Sequence, residues 1–384
     1  MRRFLIAVLC GLAMLFVACG GGVYDEVQLQ VEYEVAYEPT GSEPYYIPHG
    51  YIAVRHIKFM NDNLYGRTPF TYREKEAAVW IVEELLAMGY GWDDIYVQEF
   101  DWPSVQGHTL WAFRSWEDVL HPRIRGDALP RAGQLSQNVV LTIPGQSAQK
   151  IIVGAHYDTP PYPGASDNAS GVALLLESAQ RMLHQDNYHT IVYVFFGAEE
   201  VGLFGAHYFL NSLSLAEQDN LLMMINADSL LEGPYMMFDA GYAPGEYWLD
   251  ALPEDVQGMG WWPATRWWLE NLELRRDGVA AQVKEIADEL NAQQGTKLMH
   301  DPRFVLSPSD HFIFAFEGHT VVNLIGMYRD DDGENQVING FSTRVMHTPQ
   351  DNFHYINENW PGKIDTNMRY FSMFLEEMLL AMYN

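Results

Sequence analysis

Apolar residues recur every three or four positions in two early stretches, Tyr51–Asn63 and Glu74–Met88. The second carries Ala77, Ile81, Leu85 and Met88 on one face. That spacing predicts amphipathic helices. Gly89 and Gly91 follow the second and predict its end. Farther on the pattern changes to short unbroken apolar runs: Asn138–Ile143, Ile151–Ala155, Thr190–Phe196, Leu221–Asn226 and Thr320–Ile325. Runs of this kind predict strands buried on both faces. Between the second and third, Ala169–Leu183 returns to helical spacing, with Val172, Leu175, Leu176 and Ala179 turned inward. Strands alternating with helices predict an α/β fold, a mostly parallel or mixed sheet flanked by helices on both faces.

Two stretches depart from this rhythm. Val27-Gln28-Leu29-Gln30-Val31 alternates apolar and polar residues, which predicts an edge strand or extended arm within Asp25–Pro48. Residues 233–301 hold Trp248, Trp261, Trp262, Trp267 and Trp268, with a helical pattern near Val279–Leu290. This reads as an aromatic-rich insertion. It would serve as extra cover for the sheet or as a lid and side-chain pocket.

The N-terminus is different again. Arg2 and Arg3 precede an apolar run from Phe4 to Ala18. A short basic region before such a run reads as an export signal, and the run is too short for a membrane span. Phe16-Val17-Ala18-Cys19 resembles a bacterial lipobox, with Phe16 where Leu is usual. The resemblance implies cleavage before Cys19 and lipid attachment there. Gly20-Gly21-Gly22 would then be a flexible tether. The expected organisation is a lipoprotein-type signal at 1–19, a tether and arm at 20–48, and one catalytic domain at 49–384 carrying the insertion. The location expected is the cell envelope, outside the cytoplasm.

Composition narrows the function. The formal charge of −28 over 384 residues opposes nucleic-acid binding, because phosphates would be repelled. The two cysteines, Cys10 and Cys19, both fall in the signal, so no disulfide or thiolate metal site belongs to the body of the protein.

The candidate chemistry sits where strands end. Ile151–Ala155 runs into His156-Tyr157-Asp158, Thr190–Phe196 leads to Glu199-Glu200, and Leu221–Asn226 leads to Asp228. Parallel sheets bind their ligands at this carboxyl edge. His156 followed by Asp158 fits a metal-ligating imidazole and the carboxylate that orients it. Asp167, in Gly164-Ala165-Ser166-Asp167-Asn168-Ala169-Ser170-Gly171, fits either a helix N-cap or a carboxylate shared by two metal ions. Adjacent carboxylates repel unless a cation or proton intervenes. Glu199-Glu200 therefore reads as a division of labour: Glu200 binds metal, and Glu199 takes a proton from a water that the metal has made acidic. An exposed acidic turn is the plainer reading of the same pair. His347 lies far downstream, in Met346-His347-Thr348-Pro349-Gln350-Asp351.

Taken in order, these pieces resemble the zinc aminopeptidases of peptidase family M28, whose relatives include glutamate carboxypeptidases, the transferrin receptor ectodomain and glutaminyl cyclases. The matching runs are Gly154–Asp158, Gly164–Gly171, Gly197–Gly205, Asn226–Asp228, Ser309-Asp310-His311-Phe312 and His347-Thr348. The similarity reaches from about Tyr51 to the C-terminus. It implies a sandwich fold of the zinc exopeptidase type and two zinc ions per chain. His156 and Asp228 would hold one zinc, Glu200 and His347 the other, and Asp167 would bridge them. Glu199 would be the general base and Asp158 the partner of His156. Asp310, His311 and Asp351 would orient ligands or substrate groups. Tyr328 and His311 are candidates to stabilise the oxyanion. Ser229 stands where the family often has Met. The nitrogen and oxygen ligands suit zinc, with cobalt and manganese as alternatives.

The expected activity is removal of N-terminal residues from peptides. Two other readings stand beside it, a glutaminyl-peptide cyclotransferase on the same scaffold and a non-catalytic binding lipoprotein.

Overall fold

The computed structural model describes residues 47–101, 134–241, 278–300, 309–329, 341–342 and 344–382. The signal, the tether, nearly all of the arm, both cysteines and the five tryptophans of 233–301 lie outside the described residues.

The apolar runs become the middle of one sheet. Its strands are β1 (Ile95–Asp101), β2 (Leu135–Ile143), β3 (Ser147–His156), β4 (His189–Phe196), β5 (Leu221–Ala227), β6 (Tyr235–Gly241), β7 (Leu298–His300) and β8 (Val321–Arg329). Their spatial order is β1-β2-β4-β3-β5-β8-β6-β7, and a short β9 (Phe341–Ser342) pairs with β8. The central four, β4, β3, β5 and β8, are mutually parallel. On the flanks, β2 runs antiparallel to β4, and β6 antiparallel to β8. The longest run of parallel strands is thus the centre, where both faces are covered, and the edge strand β7 adds a short parallel pairing to β6.

That cover comes from two groups of helices. On one face lie α1 (Tyr51–Asn63), α2 (Tyr72–Met88), α3 (Gly171–Met182) and, later in the chain, a long helix at Lys363–Ala381. They pack on Ile151, Val153, Tyr193, Phe195, Ile225 and Leu324. On the other face α4 (Phe204–Ser212) and a helix at His311–Phe316 meet Ile152, Val194, Phe196 and Met224. Successive strand residues point to opposite faces, so an unbroken apolar run serves both.

Local sequence explains the first two helices. Gly89, at φ 111°, ends α2 in the left-handed conformation expected of a terminal glycine. The start of α1 is held from elsewhere. The buried Glu177 of α3 accepts from the Gly50 and Ala53 amides at 2.7 and 2.9 Å. A carboxylate there meets both the unpaired amides and the positive end of the helix dipole.

The stretch 233–301, expected as an insertion, joins the sheet at its described ends. Tyr235–Gly241 is β6 and Leu298–His300 is β7, parallel to it. Between them lies α5 (Gly278–Gln294), close to the helix expected at Val279–Leu290. The Met236-Met237-Phe238 run carries little turn or alternation signal. It becomes a strand because β8 offers it an antiparallel edge.

Candidate metal centre

Strand register builds half of the site. Gly154 of β3 pairs with Asn226 of β5, so His156 and Asp228, each two residues on, stand level at the end of adjacent parallel strands. His156 is 1% exposed. Its Nε2 lies 3.4 Å from Asp228 Oδ1 and 3.2 Å from Asp167 Oδ1.

Asp167 arrives on an irregular turn, Ala165–Ser170, that precedes α3. A helix N-cap was one reading of it. Instead both its oxygens face imidazoles, with Oδ2 3.0 Å from His347 Nε2. Gly171 lets this turn come close, since a Cβ there would meet the Ala227 carbonyl oxygen at 2.3 Å. His347 Nε2 is also 3.1 Å from Glu200 Oε2. Asp167 therefore stands between two clusters, His156 with Asp228 and His347 with Glu200. Glu199 belongs to the same centre, as its carboxylate can share one small volume with His156 and Glu200.

The arrangement of charge fits a cation. Among the described residues, Glu200 Oε1 and Asp228 Oδ1 are buried with no hydrogen-bond partner. Burial pushes Glu200 up to about 7, against the opposing pull of His347. Burial also raises Glu199 well above the usual carboxylate range; His156 opposes this, while Glu200, Asp310 and Asp228 add to it. Burial would raise Asp167 too, but the two imidazoles hold it well below that range. So many carboxylates in one dry volume need positive charge among them. All donors are nitrogen or oxygen, the set that zinc accepts.

The remaining candidates hold the turns. His156 Nδ1 lies 3.1 Å from the Asp158 carbonyl oxygen and 3.7 Å from the Asp158 carboxylate. A carbonyl can only accept, so Nδ1 carries the proton and Nε2 is left to ligate. The Asp158 carboxylate, expected to orient His156, stands beside its ring and also accepts from the amides of Glu199 at 3.0 Å and Glu200 at 3.1 Å. Asp351 accepts from the amides of Ser166 and Asp167 at 2.6 and 2.9 Å. Asp310 is fully buried, neither oxygen is hydrogen-bonded among the described residues, and its charge is felt at Glu199. His311 follows at the start of its helix, its ring buried edge-on to Phe312. Tyr328 lies on β8, paired with Ser342.

Three further residues took part without being foreseen. Glu74 accepts from Phe70 N, Ser136 Oγ and Ala198 N, which fixes the turn before Glu199. Glu232 accepts from the amides of Arg344 and Met346, just ahead of His347. Arg67 is wholly buried and donates to the carbonyls of Leu64, Tyr157, Pro163 and Gly164. Burial lowers its pKa to about 10, yet it stays charged beneath the acidic cluster. A sequence signal exists for Glu74 alone. Thr71 and Glu74 have capping-box spacing, and Thr71 does accept from Glu74 N.

Residues 138–372 match the model for Peptidase family M28. A 151-residue stretch is 32% identical to the probable lipoprotein aminopeptidase LpqL of Mycobacterium tuberculosis, covering 36% of this chain and 28% of that protein. Matches to two more curated relatives span 34% and 17% of their lengths. Among solved structures the fold is similar to BSAP, a zinc aminopeptidase from Bacillus subtilis. The TM-score is 0.60 at 16% identity, over 86% of this chain and 95% of that one. A glutaminyl cyclase of Bacteroides thetaiotaomicron, bound to N-acetylhistamine, gives a TM-score of 0.53 at 17% identity, over 87% and 97% of the two chains.

Proposed function

The chain belongs to peptidase family M28, and from that premise we propose that it is a zinc-dependent aminopeptidase acting on the free amino end of peptides. One observation carries the reading. The two oxygens of Asp167 face different imidazoles, 3.2 Å from His156 and 3.0 Å from His347, each with its own second carboxylate. That is the layout of a bridged two-ion centre. His156 and Asp228 would hold one zinc, Glu200 and His347 the other.

Bound zinc would supply Lewis acidity, polarising the scissile carbonyl and making water a stronger acid near neutral pH. The chain's own residues manage the proton. Glu199 takes it from the attacking water and delivers it to the leaving amine nitrogen. In the metal-free chain burial raises its proton affinity, against the opposing pull of His156, which suits a carboxylate that must accept a proton. Asp158 and Glu74 fix the backbone of residues 198–200, so the carboxylates of Glu199 and Glu200 stay divided between their two tasks. Asp310 sustains the proton affinity of Glu199, and Asp351 holds the bridging turn.

The N-terminal residues support a cell-envelope location, with cleavage before Cys19 removing residues 1–18 and leaving Cys19 to carry the lipid. The lipobox-like Phe16–Cys19 sequence and the relative named a probable lipoprotein aminopeptidase support this. Among the described residues no helix is long and apolar enough to cross a membrane. Cys19→Ala should move the protein from the membrane fraction to the soluble one.

The activity is tested with the purified chain, by metal analysis beside a panel of aminoacyl, N-blocked and N-terminal glutaminyl peptides. Two zinc ions, hydrolysis of free-amino substrates alone, and its loss with a chelator are expected. Cyclisation of the glutaminyl peptide without hydrolysis would replace this reading with the cyclotransferase. Absence of both zinc and turnover would favour the binding lipoprotein.

A further inference from the structure

Of the ligands that the sheet does not position, His347 lies farthest along the chain, beyond the last strand. It lies on a loop, with φ at +55°. A residue with a side chain disfavours that left-handed conformation, so the loop must be held in it from outside. Asp351 anchors the far side of the loop, where it also grips the amides of Ser166 and Asp167. On the near side the anchor is Glu232. This side chain is 2% exposed, and its two oxygens accept separately, Oε2 from Arg344 N at 2.5 Å and Oε1 from Met346 N at 2.7 Å.

Glu232 is itself held firmly. It ends a short segment that begins at Asp228. Within that segment Leu230 N donates to Ser170 Oγ at 3.0 Å, and Leu231 N to Ser166 Oγ at 3.1 Å. Asn367 Nδ2 donates to the Leu230 carbonyl at 2.7 Å. One rigid stretch thus starts at a ligand of the first cluster, ties to the turn that carries Asp167, and ends by gripping the loop of the second cluster.

We propose that Glu232 is a positioning residue that sets His347 for the second metal ion, so that the two ions depend on it unequally. The inference rests on the two-ion reading above. A carboxylate suits the task because both oxygens accept from backbone N–H groups, while an amide would turn one N–H against another. The His156–Asp228 cluster is set chiefly by strand register, in which Gly154 pairs with Asn226, and Glu232 makes its two hydrogen bonds on the other side, to the His347 loop.

The test is stepwise zinc titration of the metal-free full chain against a chromophoric chelator, for wild type, Glu232→Gln, Glu232→Ala and His347→Ala. Wild type should bind two ions. Both Glu232 variants should bind one ion within about twofold of wild type and the other at least tenfold more weakly, the scale usual for residues supporting a ligand. His347→Ala should show the same uneven pattern. Melting of each metal-free variant is measured alongside, and the isosteric Glu232→Gln carries the test if Glu232→Ala does not fold. Two ions bound by Glu232→Gln as tightly as by wild type would overturn the proposal. Equal weakening of both ions together with a lowered melting temperature would also overturn it, since that marks a general structural role. Fewer than two ions on the wild-type chain would instead overturn the two-ion reading.

Discussion

The two halves of the centre are built by different physical means. His156 and Asp228 sit at the ends of neighbouring parallel strands, and the register that pairs Gly154 with Asn226 also aligns them. Backbone hydrogen bonds of the sheet position this half. His347 and Glu200 sit on turns, and the His347 side chain is 25% exposed. Turns have no ladder to fix them. Here the backbone is gripped by buried carboxylates, Asp158 on Glu199 and Glu200, Glu74 on Ala198, Glu232 on Arg344 and Met346. Burying an acid for each turn is costly unless its oxygens are satisfied. These satisfy theirs on amides that would otherwise be unpaired. The lesson is that a strand end positions a ligand through the sheet itself, while a turn needs dedicated acceptors.

The largest effect tests what the halves share. Asp167→Ala removes the side chain whose two oxygens face the two imidazoles, so zinc content should fall at both positions and hydrolysis should disappear with it. Elemental analysis that still finds two zinc ions per chain would separate the halves and remove the bridge. Next is Glu199→Gln, which keeps the shape of the turn. Zinc should be retained while kcat falls by about 10²–10⁴, the range for a positioned general base. Normal steady-state turnover by that variant would move the proton transfer to another residue.

A third measurement compares the halves directly, by denaturant unfolding of the metal-free protein. His156→Ala takes the imidazole away from buried Asp158 and Asp228 and leaves Asp167 with His347 alone. Breaking a buried pair costs about 3–5 kcal/mol. His347→Ala acts at a partly exposed ring, where water relieves part of the loss, and should cost on the order of 1 kcal/mol. The reverse ranking would break the comparison.

The smallest effect is a pH dependence. Burial alone would lower the His347 pKa, but Glu200 and Asp167 outweigh it and push it up to about 12 in the metal-free protein. With the folded value above the ordinary one, this pairing stabilises the metal-free fold fully below about pH 6.5 and is lost as pH rises toward 12. A ligating imidazole must be neutral, so zinc displaces that proton. Zinc affinity at this half should rise about tenfold per pH unit near neutrality. Calorimetry in two buffers of different ionisation enthalpy checks this, since no proton release would mean the ring is already neutral.

How much was legible in advance varied along the chain with the kind of signal. The central strands were readable because burial on both faces leaves unbroken apolar runs. Their observed bounds extend the expected ones by a few residues, as with Ser147–His156 around Ile151–Ala155. The edge strand β1 and the long C-terminal helix were not foreseen. Ile95–Asp101 is half polar, and it becomes a strand because β2 offers an antiparallel edge. Asp158 was expected beside His156, and what the sequence did not reveal is that its carbonyl meets the ring at 3.1 Å while its carboxylate, 3.7 Å from the same nitrogen, also holds two amides.

The sequence by itself determined the α/β alternation, the family resemblance and the group of ionisable residues that follow its strands. These are local or ordered features, and hydrophobic period and motif order carry them without any knowledge of contacts. Only the tertiary structure decided between an N-cap and a bridge for Asp167, by setting each of its oxygens against a different imidazole, and made Glu74, Glu232 and Asp351 backbone acceptors. His347 meets Asp167 across 180 positions of chain, and Phe353 N meets Asn61 across 292. An acid at such a distance looks like any other in a chain of net charge −28. What makes it part of the site is which unpaired amides the fold brings to its oxygens.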